Sequence, residues 1–431
     1  MYANRYSLRL FGMLGAVFFA AAPASAQCTD QWLPGEDLPG LDDDVLAAVV
    51  HDDGSGPALY VGGDFTTAGG TPANHIARWD GTNWSPLGSG MDGFHVIALT
   101  VYNGQLIAGG LFTTAGGTPA QNIARWDGTS WSPLGSGVNH FVASLTVYNG
   151  QLIAGGNFVG AGGTPAQHIA RWDGASWSPL GSGVSDSVYA LTVYNRGLIA
   201  GGGFQRAGGK DASAIARWDG TRWSPLGGGV QVECWYCLGP SVRALGVYNE
   251  ELIAGGESFT IAGETRADKI ARWNGKFWSP LGSGLECDSC VDPYVWALTV
   301  YNGELIAGGA FPSAGGTPAN SIARWNGESW SPLGSGITGG SVWALTVYNG
   351  ELIVGGAFSG AGGMPVNHIA HWGPDVPRGD LDGDCSVGYA DLDILLDNWG
   401  PCADCDDCPA DLDADCTVGV VDLLILLGNW R

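Results

Sequence analysis

Short apolar runs separated by turn-forming pairs recur along most of the chain. In residues 96–137 the runs VIALTVY and QLIAGG flank Asn103-Gly104, and the runs IARWD and WSPL meet at Asp127-Gly128. An Asn-Gly or Asp-Gly pair between two apolar runs predicts a β-hairpin. This stretch is therefore predicted to form four short antiparallel strands.

The same unit is repeated seven times. A Gly-Gly doublet ends the second apolar run of each unit, and its first glycine lies at residues 62, 109, 155, 201, 255, 308 and 355. Four strands per repeat at this spacing are typical of propeller blades. We predict an all-β, seven-bladed β-propeller over residues 27–373, closed into a ring without exposed sheet edges.

The seventh unit lacks its outer strand. It ends in IAHW at residues 369–372, and Gly373-Pro374 follows where the other units have a hairpin and a WSPL segment. The N-terminal region contains a spare segment of that kind, Trp32-Leu33-Pro34-Gly35. We therefore predict that Trp32 lies in the outer strand of the last blade and closes the ring.

The amino-acid sequence of the units resembles that of known propeller families. The glycine doublet, the third-strand tryptophan and the period near 47 residues resemble kelch-type repeats. The motif LIAGGxF…IARWDG…W is more similar still to repeats of fungal cortical polarity markers and bacterial surface proteins. This resemblance covers residues 28–373 and implies a propeller fold, but no activity, because propellers carry unrelated functions.

Positions that are the same in every unit are expected to serve packing between blades. The tryptophan column, with Trp79 and Trp126 as examples, has wide apolar faces that suit burial between blades. For the arginine column, represented by Arg125, we expect backbone carbonyls as hydrogen-bond acceptors.

Function is expected where the units differ from one another. The position before the repeated Ala-Leu pair is occupied in turn by Leu46, Ile97, Ala143, Tyr189, Arg243, Trp296 and Trp343. We predict that Tyr189, Arg243, Trp296 and Trp343 form a ligand site at the mouth of the central channel, because aromatic faces beside a guanidinium suit neutral or acidic sugars. The alternative is that these bulky residues only plug the channel.

The N-terminus predicts export. Arg5 and Arg9 precede an apolar stretch at residues 10–22, and Pro-Ala-Ser-Ala follows it, so residues 1–26 are predicted to be a cleaved signal peptide. Its thirteen apolar residues are fewer than the roughly 20 that span a bilayer. We expect a secreted or cell-surface protein without a membrane span. The formal net charge of −24 argues against a nucleic-acid partner.

Ten cysteines follow the predicted signal peptide, and an oxidising compartment favours disulfides between them. Four belong to two CxxC pairs in inserted loops, and these pairs could instead bind zinc tetrahedrally. The histidines, His95 and His140 among them, are predicted to be solvated polar residues rather than metal ligands. The disulfide candidates are Cys28, Cys234, Cys237, Cys287, Cys290, Cys385, Cys402, Cys405, Cys408 and Cys416.

The C-terminal residues 378–431 contain thirteen Asp and no Glu, with two matching segments that start 31 residues apart. In each segment, oxygen-bearing side chains occupy positions 1, 3, 5, 7 and 12, the spacing of an EF-hand calcium loop. The candidate ligands are Asp380, Asp382, Asp384, Ser386 and Asp391 in the first loop, and Asp411, Asp413, Asp415, Thr417 and Asp422 in the second.

The paired loops resemble type I dockerin modules. The resemblance covers residues 380–431, after a linker at 374–379, and implies calcium as cofactor and a cohesin-like protein as partner. The chain departs from that pattern at loop position 6, where Cys385 and Cys416 replace glycine. An L-residue costs about 1 kcal/mol or more there if the backbone φ is positive. Positions 10 and 11, which carry partner contacts in that family, are Tyr389-Ala390 and Val420-Val421.

These features together predict an exported, non-catalytic binding protein whose propeller presents a ligand surface for a polysaccharide and whose dockerin-like module anchors it through calcium. One alternative is a polysaccharide-active lyase or glycosidase of a multi-protein assembly, and another is a purely structural surface protein. The enzyme would require two carboxylates, or a set of Tyr, His and Arg, at the channel mouth. Its candidates are Asp186, Tyr189, Arg243, Asp288 and Asp292.

Overall fold

The computed structural model describes residues 28–35, 38–232, 239–286, 293–403, 408–413 and 415–430. They fall into two compact units, one spanning residues 30–373 and the other formed by the residues before 30 and after 373. The predicted signal peptide lies outside the described residues. None of the described helices has the length and apolar character needed to cross a membrane.

Residues 30–373 form a β-propeller built from four-stranded antiparallel sheets. The first strands are Val45–Asp52, Met91–Tyr102, Val142–Tyr148, Val188–Tyr194, Ser241–Tyr248, Tyr294–Tyr301 and Ser341–Tyr348. The second strands are Pro57–Gly63, Gln105–Ala115, Gln151–Gly156, Gly197–Gly202, Glu251–Glu257, Glu304–Ala310 and Glu351–Ala357. Neighbouring first strands contact one another in chain order, and the last contacts the first, so the first strands surround a central channel.

The third and fourth strands complete each sheet on its outer side. The third strands are Ile76–Trp79, Ile123–Trp126, Ile169–Trp172, Ile215–Trp218, Ile270–Trp273, Ile322–Trp325 and Ile369–Pro374. The outer strands are Trp84–Pro86, Trp131–Pro133, Trp177–Pro179, Trp223–Pro225, Trp278–Pro280, Trp330–Pro332 and, from the N-terminus, Asp30–Trp32.

Two-residue strands in the longer connections pair with one another beside the main sheets, except that Thr118–Pro119 pairs with the second strand Gln105–Ala115. They are Thr67–Ala68, Thr71–Pro72, Thr118–Pro119, Gly160–Ala161, Thr164–Pro165, Arg206–Ala207, Lys210–Asp211, Val230–Gln231, Ile261–Ala262, Thr265–Arg266, Leu285–Glu286, Ser313–Ala314, Thr317–Pro318, Ile337–Thr338, Gly360–Ala361 and Met364–Pro365.

The N-terminal strand completes the last sheet, which confirms the prediction for Trp32. Asp30–Trp32 pairs with Ile369–Pro374. The indole N–H of Trp32 donates a hydrogen bond to the carbonyl of Leu333, 2.9 Å away, and Trp131 makes the equivalent bond to Leu87 at 2.9 Å. The N-terminal segment therefore forms the outer strand that the seventh unit lacks.

The repeated residues pack neighbouring sheets against each other, as expected. One cluster joins Trp172 and Trp177 of one sheet to Tyr102 and Leu134 of the preceding sheet. The glycine doublets permit a comparably close approach: a Cβ atom added to Gly109 would lie 2.6 Å from a methyl group of Val142 in the next sheet. Glycine is needed there because no side chain fits between the two strands.

The arginine column differs from the expectation of backbone acceptors. Nε of Arg125 donates to the hydroxyl of Ser132, 2.9 Å away, because these residues stand opposite each other in the strand register. In another unit Arg217 does donate to a backbone carbonyl, that of Asn195, at 3.0 Å. The expectation was therefore wrong for Arg125, since it overlooked the serine on the neighbouring outer strand.

The C-terminal unit contains two short helices, α1 (Tyr389–Asp397) and α2 (Val420–Gly428), and a two-stranded pair, Gly400–Pro401 with Thr417–Val418. Its fully buried apolar core is small and consists of Val387, Leu395, Ala410, Val418 and Leu426. The ring of Tyr389 packs edge-on against Trp430, with the ring centroids 5.1 Å apart.

Disulfides join part of the predicted cysteine set. Cys28 is bonded to Cys385 and Cys402 to Cys408. Cys416 is disulfide-bonded as well. The five other candidates lie outside the described residues, so disulfides or zinc at the two CxxC pairs remain predictions: Cys234, Cys237, Cys287, Cys290 and Cys405.

Candidate functional site

A β-bulge turns one residue of every first strand out of the regular ladder. In the fourth unit the register shifts between Val188 and Ala190, so Tyr189 is the extra residue. The same shift falls on the variable column in the other six units. A bulge re-aims a side chain and often does so next to binding sites. The backbone thus presents the variable residues in the same way around the channel.

The bulged residues line one cavity at the channel mouth, with a volume of about 500 Å³. This lies within the range of roughly 300–1,000 Å³ that is usual for ligand pockets. All four predicted ligand residues are brought together there, and two further residues, Asp64 and His95, complete the lining. The full lining is Leu46, Asp64, His95, Ile97, Ala143, Tyr189, Arg243, Trp296 and Trp343.

Aromatic side chains form one wall of the cavity. Trp296 and Trp343 meet at an angle of 68°, with ring centroids 5.2 Å apart. Tyr294 stacks on Trp296 with nearly parallel rings whose centroids are 5.1 Å apart. This stacking fixes the plane of Trp296. The two indoles therefore form a rigid apolar corner, which suits the C–H faces of a flat ring.

Arg243 is held in place by Glu257, Tyr189 and Ser241, whose hydroxyl accepts a hydrogen bond from Nε at 3.2 Å. Its Nε and Nη2 donate to one carboxylate oxygen of Glu257, at 3.0 and 2.7 Å. Its guanidinium carbon lies 3.9 Å from the ring centroid of Tyr189, a cation–π contact. Nη1 makes no hydrogen bond to any residue that the structure describes, so it keeps donors for a ligand.

A second charged pair lines the same cavity. Nδ1 of His95 donates to a carboxylate oxygen of Asp64, 2.7 Å away, and each side chain is about a third exposed. His95 is therefore partly exposed, as expected of a polar residue, but Asp64 also holds it in the cavity wall, which the sequence did not predict. Because the carboxylate holds the proton on Nδ1, the neutral ring presents Nε2 as a proton acceptor. Within the described parts of the chain, Nε2 has no hydrogen-bond partner.

The sequence contains a signal for both pairs. The residue that follows the Gly-Gly doublet is apolar, glycine or asparagine in five units and acidic in two, where it is Asp64 or Glu257. Each acidic residue binds a side chain of the cavity lining that can carry positive charge. A comparison of the units at this position singles out Asp64 and Glu257, the acidic members of the two pairs.

Of the carboxylates suggested for an enzyme, Asp186 is the one that the structure describes, and it does not line this cavity. Asp186 accepts hydrogen bonds from the backbone N–H and the hydroxyl of Ser187, at 2.6 and 3.2 Å, and is absent from the cavity wall. Asp288 and Asp292 lie outside the described residues. Among the described residues, Asp64 is the one carboxylate that lines the cavity.

The C-terminal loops each gather three of the predicted calcium ligands. Carboxylate oxygens of Asp380, Asp382 and Asp391 all lie within 4.8 Å of one another. The same holds for Asp411, Asp413 and Asp422 in the second loop. Asp384 and Asp415 are not part of these carboxylate groups. The hydroxyl of Ser386 donates to Asp384 at 2.6 Å.

Backbone N–H groups orient the last carboxylate of each loop. Asp391 accepts hydrogen bonds from the N–H groups of Leu381, Asp382 and Gly388, at 2.6, 3.1 and 2.7 Å. Burial by itself raises the pKa of Asp391, but these three hydrogen bonds outweigh it and lower the pKa. At Asp382 burial and the nearby aspartates raise the pKa. Hard oxygen donors that repel one another in this way fit a divalent cation such as calcium.

Both cysteines at loop position 6 have the backbone conformation for which glycine is usual. Cys385 has a φ of 69° and Cys416 a φ of 68°. The sharp turn of the loop is thus formed in spite of the side chain. Both residues are disulfide-bonded, so covalent bonds help to hold the two strained turns.

A family model supports the propeller. Residues 35–226 match the family model described as the Rax2 C-terminal beta propeller domain. The chain is similar to the WD40 β-propeller domain of Doa1, at 15% identity over 80% of this chain and 96% of that one, with a TM-score of 0.45. No curated protein matches.

The chain is also similar to the extracellular domain of the two component system BT4673 from B. thetaiotaomicron. The identity is 8%, the match covers 80% of this chain and 39% of that one, and the TM-score is 0.49.

Proposed function

We propose that this chain is an exported binding protein whose seven-bladed propeller binds a carbohydrate at the mouth of its central channel. One observation carries the proposal: the seven bulged residues, which vary among otherwise similar units, together line a cavity of about 500 Å³ at the channel mouth. Packing between blades does not require this variation, because the positions that pack the blades are repeated.

The chemistry of the lining favours a sugar. The corner formed by Trp296 and Trp343 offers apolar faces to the C–H side of a pyranose ring. Arg243, His95 and Asp64 supply hydrogen-bond donors and acceptors for hydroxyl or carboxylate groups of the same ligand. A few fixed polar groups beside an apolar wall are the usual composition of a small-molecule site.

The test is retention of the protein during native electrophoresis in gels that contain a polysaccharide. We expect the double variant Trp296→Ala/Trp343→Ala to lose the retention shown by the wild-type protein, with little change in melting temperature. Phe277→Ala is the matched control, because Phe277 is an exposed aromatic residue outside the cavity. Unchanged retention in the double variant, or a large loss of stability, would favour the channel plug.

We further propose that the C-terminal unit is a calcium-binding, dockerin-like module that attaches the protein to a cohesin-like partner. The grouped carboxylates and the positive φ at both position-6 residues support calcium binding. Exposed apolar side chains at loop positions 10 and 11 support a partner surface: Tyr389 is 80% exposed and Val420 63%. Disulfides support export, because they persist in oxidising compartments.

A further inference from the structure

The cavity contains a set of groups that could act on a ligand as well as bind it. His95, Tyr189 and Arg243 all line it, and each is held by a neighbour: Asp64 orients His95, and Glu257 fixes Arg243 over Tyr189. A Tyr, His and Arg set at the channel mouth is what an enzyme would require there. The three residues come from three different propeller units, and Asp64 comes from a fourth.

His95 and Arg243 stand on different sides of the propeller ring. His95 belongs to the second unit and Arg243 to the fifth, and the first strands follow one another in chain order around the channel. The two side chains therefore approach the cavity from opposite sides. On the side of His95 the bulged residues Ile97 and Ala143 carry no ring, which leaves room beside the imidazole, whereas the aromatic wall stands on the other units.

The available groups distinguish between two ways of breaking a glycosidic bond. Hydrolysis by the common mechanism uses two carboxyl groups on either side of the bond. The described lining has one carboxylate, Asp64, and a hydrogen bond to His95 already occupies it. Removal of a proton beside a carboxylate instead needs one base, one fixed cation and one proton donor. His95, Arg243 and Tyr189 match these roles.

We propose that the cavity binds a uronic acid unit of a polysaccharide and cleaves the chain by β-elimination, with His95 as the catalytic base. This inference rests on the proposed carbohydrate site. Nε2 of His95 takes the proton from C5, the electron pair of that bond forms the C4–C5 double bond, and the C4–O4 bond breaks. The leaving O4 takes a proton from the Tyr189 hydroxyl, which regains one from solvent as His95 releases its own.

The remaining side chains support this step without forming bonds to the reacting carbons. Arg243 binds the uronate carboxylate through its remaining N–H donors and stabilises the negative charge that develops there as the C5 proton leaves. Asp64 is a positioning residue, because it keeps the proton of His95 on Nδ1 and Nε2 free to accept. The step consumes neither water nor an oxidant, so its products are an unsaturated uronate end and a free hydroxyl end.

The test uses the full chain with intact disulfides and three probes: polygalacturonate, alginate and glucuronan. We expect at least one probe to give the ultraviolet absorbance of an unsaturated uronate, and product masses that show cleavage without added water. His95→Ala should lower kcat by about 100-fold or more, the range of a lost general base. His140→Ala is the matched control, because His140 is exposed and outside the cavity lining.

Two more variants separate catalysis from folding and positioning. Tyr189→Phe should lower kcat while the protein is still retained by the polyuronate. Asp64→Asn should lower kcat with KM unchanged, a split that simple loss of structure would not give. Melting temperatures of all variants should stay close to that of the wild-type protein.

The outcomes distinguish this inference from the proposed function. Retention by a polyuronate without any unsaturated product would overturn the elimination and leave the binding site intact. Product formed equally well by His95→Ala would overturn the role of His95. If none of these polyuronates is retained or cleaved while a neutral polysaccharide is retained, the elimination is wrong and the carbohydrate site stands. Absence of both retention and product with every polysaccharide would contradict both.

Discussion

The propeller and the C-terminal unit are held together by different interactions. In the propeller, large apolar clusters span neighbouring sheets, and each cluster draws on repeated Trp, Leu and Ile positions. Among the described residues of the C-terminal unit, the fully buried apolar core has five members, and the loops rest on aspartate carboxylates that accept backbone N–H bonds. Disulfides add covalent links there.

This difference implies that the stability of the two units depends on different conditions. Burial of apolar surface between blades needs no cofactor, so the propeller should be stable once its ring is closed. Clustered carboxylates repel one another, so the C-terminal loops should be stable only when the repulsion is relieved or covalent bonds resist it. Stability of the propeller should therefore respond to packing changes, and that of the C-terminal unit to calcium.

The largest change in the free energy of unfolding is expected from a substitution that weakens the closure of the propeller ring. Trp32→Ala removes a 6% exposed indole that packs against Trp372 and bonds to Leu333, and it should lower the free energy of unfolding of the propeller by about 3–5 kcal/mol. Urea unfolding followed by tryptophan fluorescence measures it. Trp399→Ala is the control, because Trp399 is 46% exposed and belongs to the other unit. Equal effects of both variants would refute closure by the N-terminal strand.

Calcium binding is expected to change the free energy of unfolding by a smaller amount, and only that of the C-terminal unit. At free calcium 100-fold above the dissociation constant, one site should stabilise this unit by about 2.7 kcal/mol. Calorimetry of the full oxidised chain should show one transition that rises with calcium and a propeller transition that does not. In the variant Asp391→Ala/Asp422→Ala the rise should disappear. Identical traces with calcium and with chelator would show that the disulfides alone organise the unit.

The smallest effect is expected from tightening one contact between blades. Gly109→Ala places a methyl group 2.6 Å from Val142, and such overpacking typically costs about 1–3 kcal/mol. Gly239→Ala is the matched control, because a methyl group at Gly239 would meet no atom within 4 Å. Urea denaturation midpoints compare the two variants. If Gly109→Ala were as stable as Gly239→Ala, the doublets would not be needed for blade packing.

The sequence predicts the parts of this molecule that repetition reveals. The missing outer strand of the seventh unit predicts the place of Trp32, and the variable position before the repeated Ala-Leu pair predicts the residues of the channel mouth. Both inferences work because every unit obeys the same backbone rules, down to the bulge that presents Tyr189 and its counterparts.

Contacts between different units were harder to predict. Asp64 and His95 are 31 residues apart and belong to different blades, so no local pattern joins them. Their pairing depends on the bulge and on the close approach of neighbouring strands at the glycine doublet. The serine partner of Arg125 was missed for a related reason, because it depends on the register of the outer strand.

The central claim is that the ligand binds where the repeated units differ. The most direct measurement is a crystal structure of the full chain with a bound oligosaccharide from a polysaccharide that retains the protein. We predict sugar density at the channel mouth, in contact with Trp296, Trp343 and Arg243. Sugar bound elsewhere on the propeller, with the channel mouth empty at saturating concentration, would contradict the account.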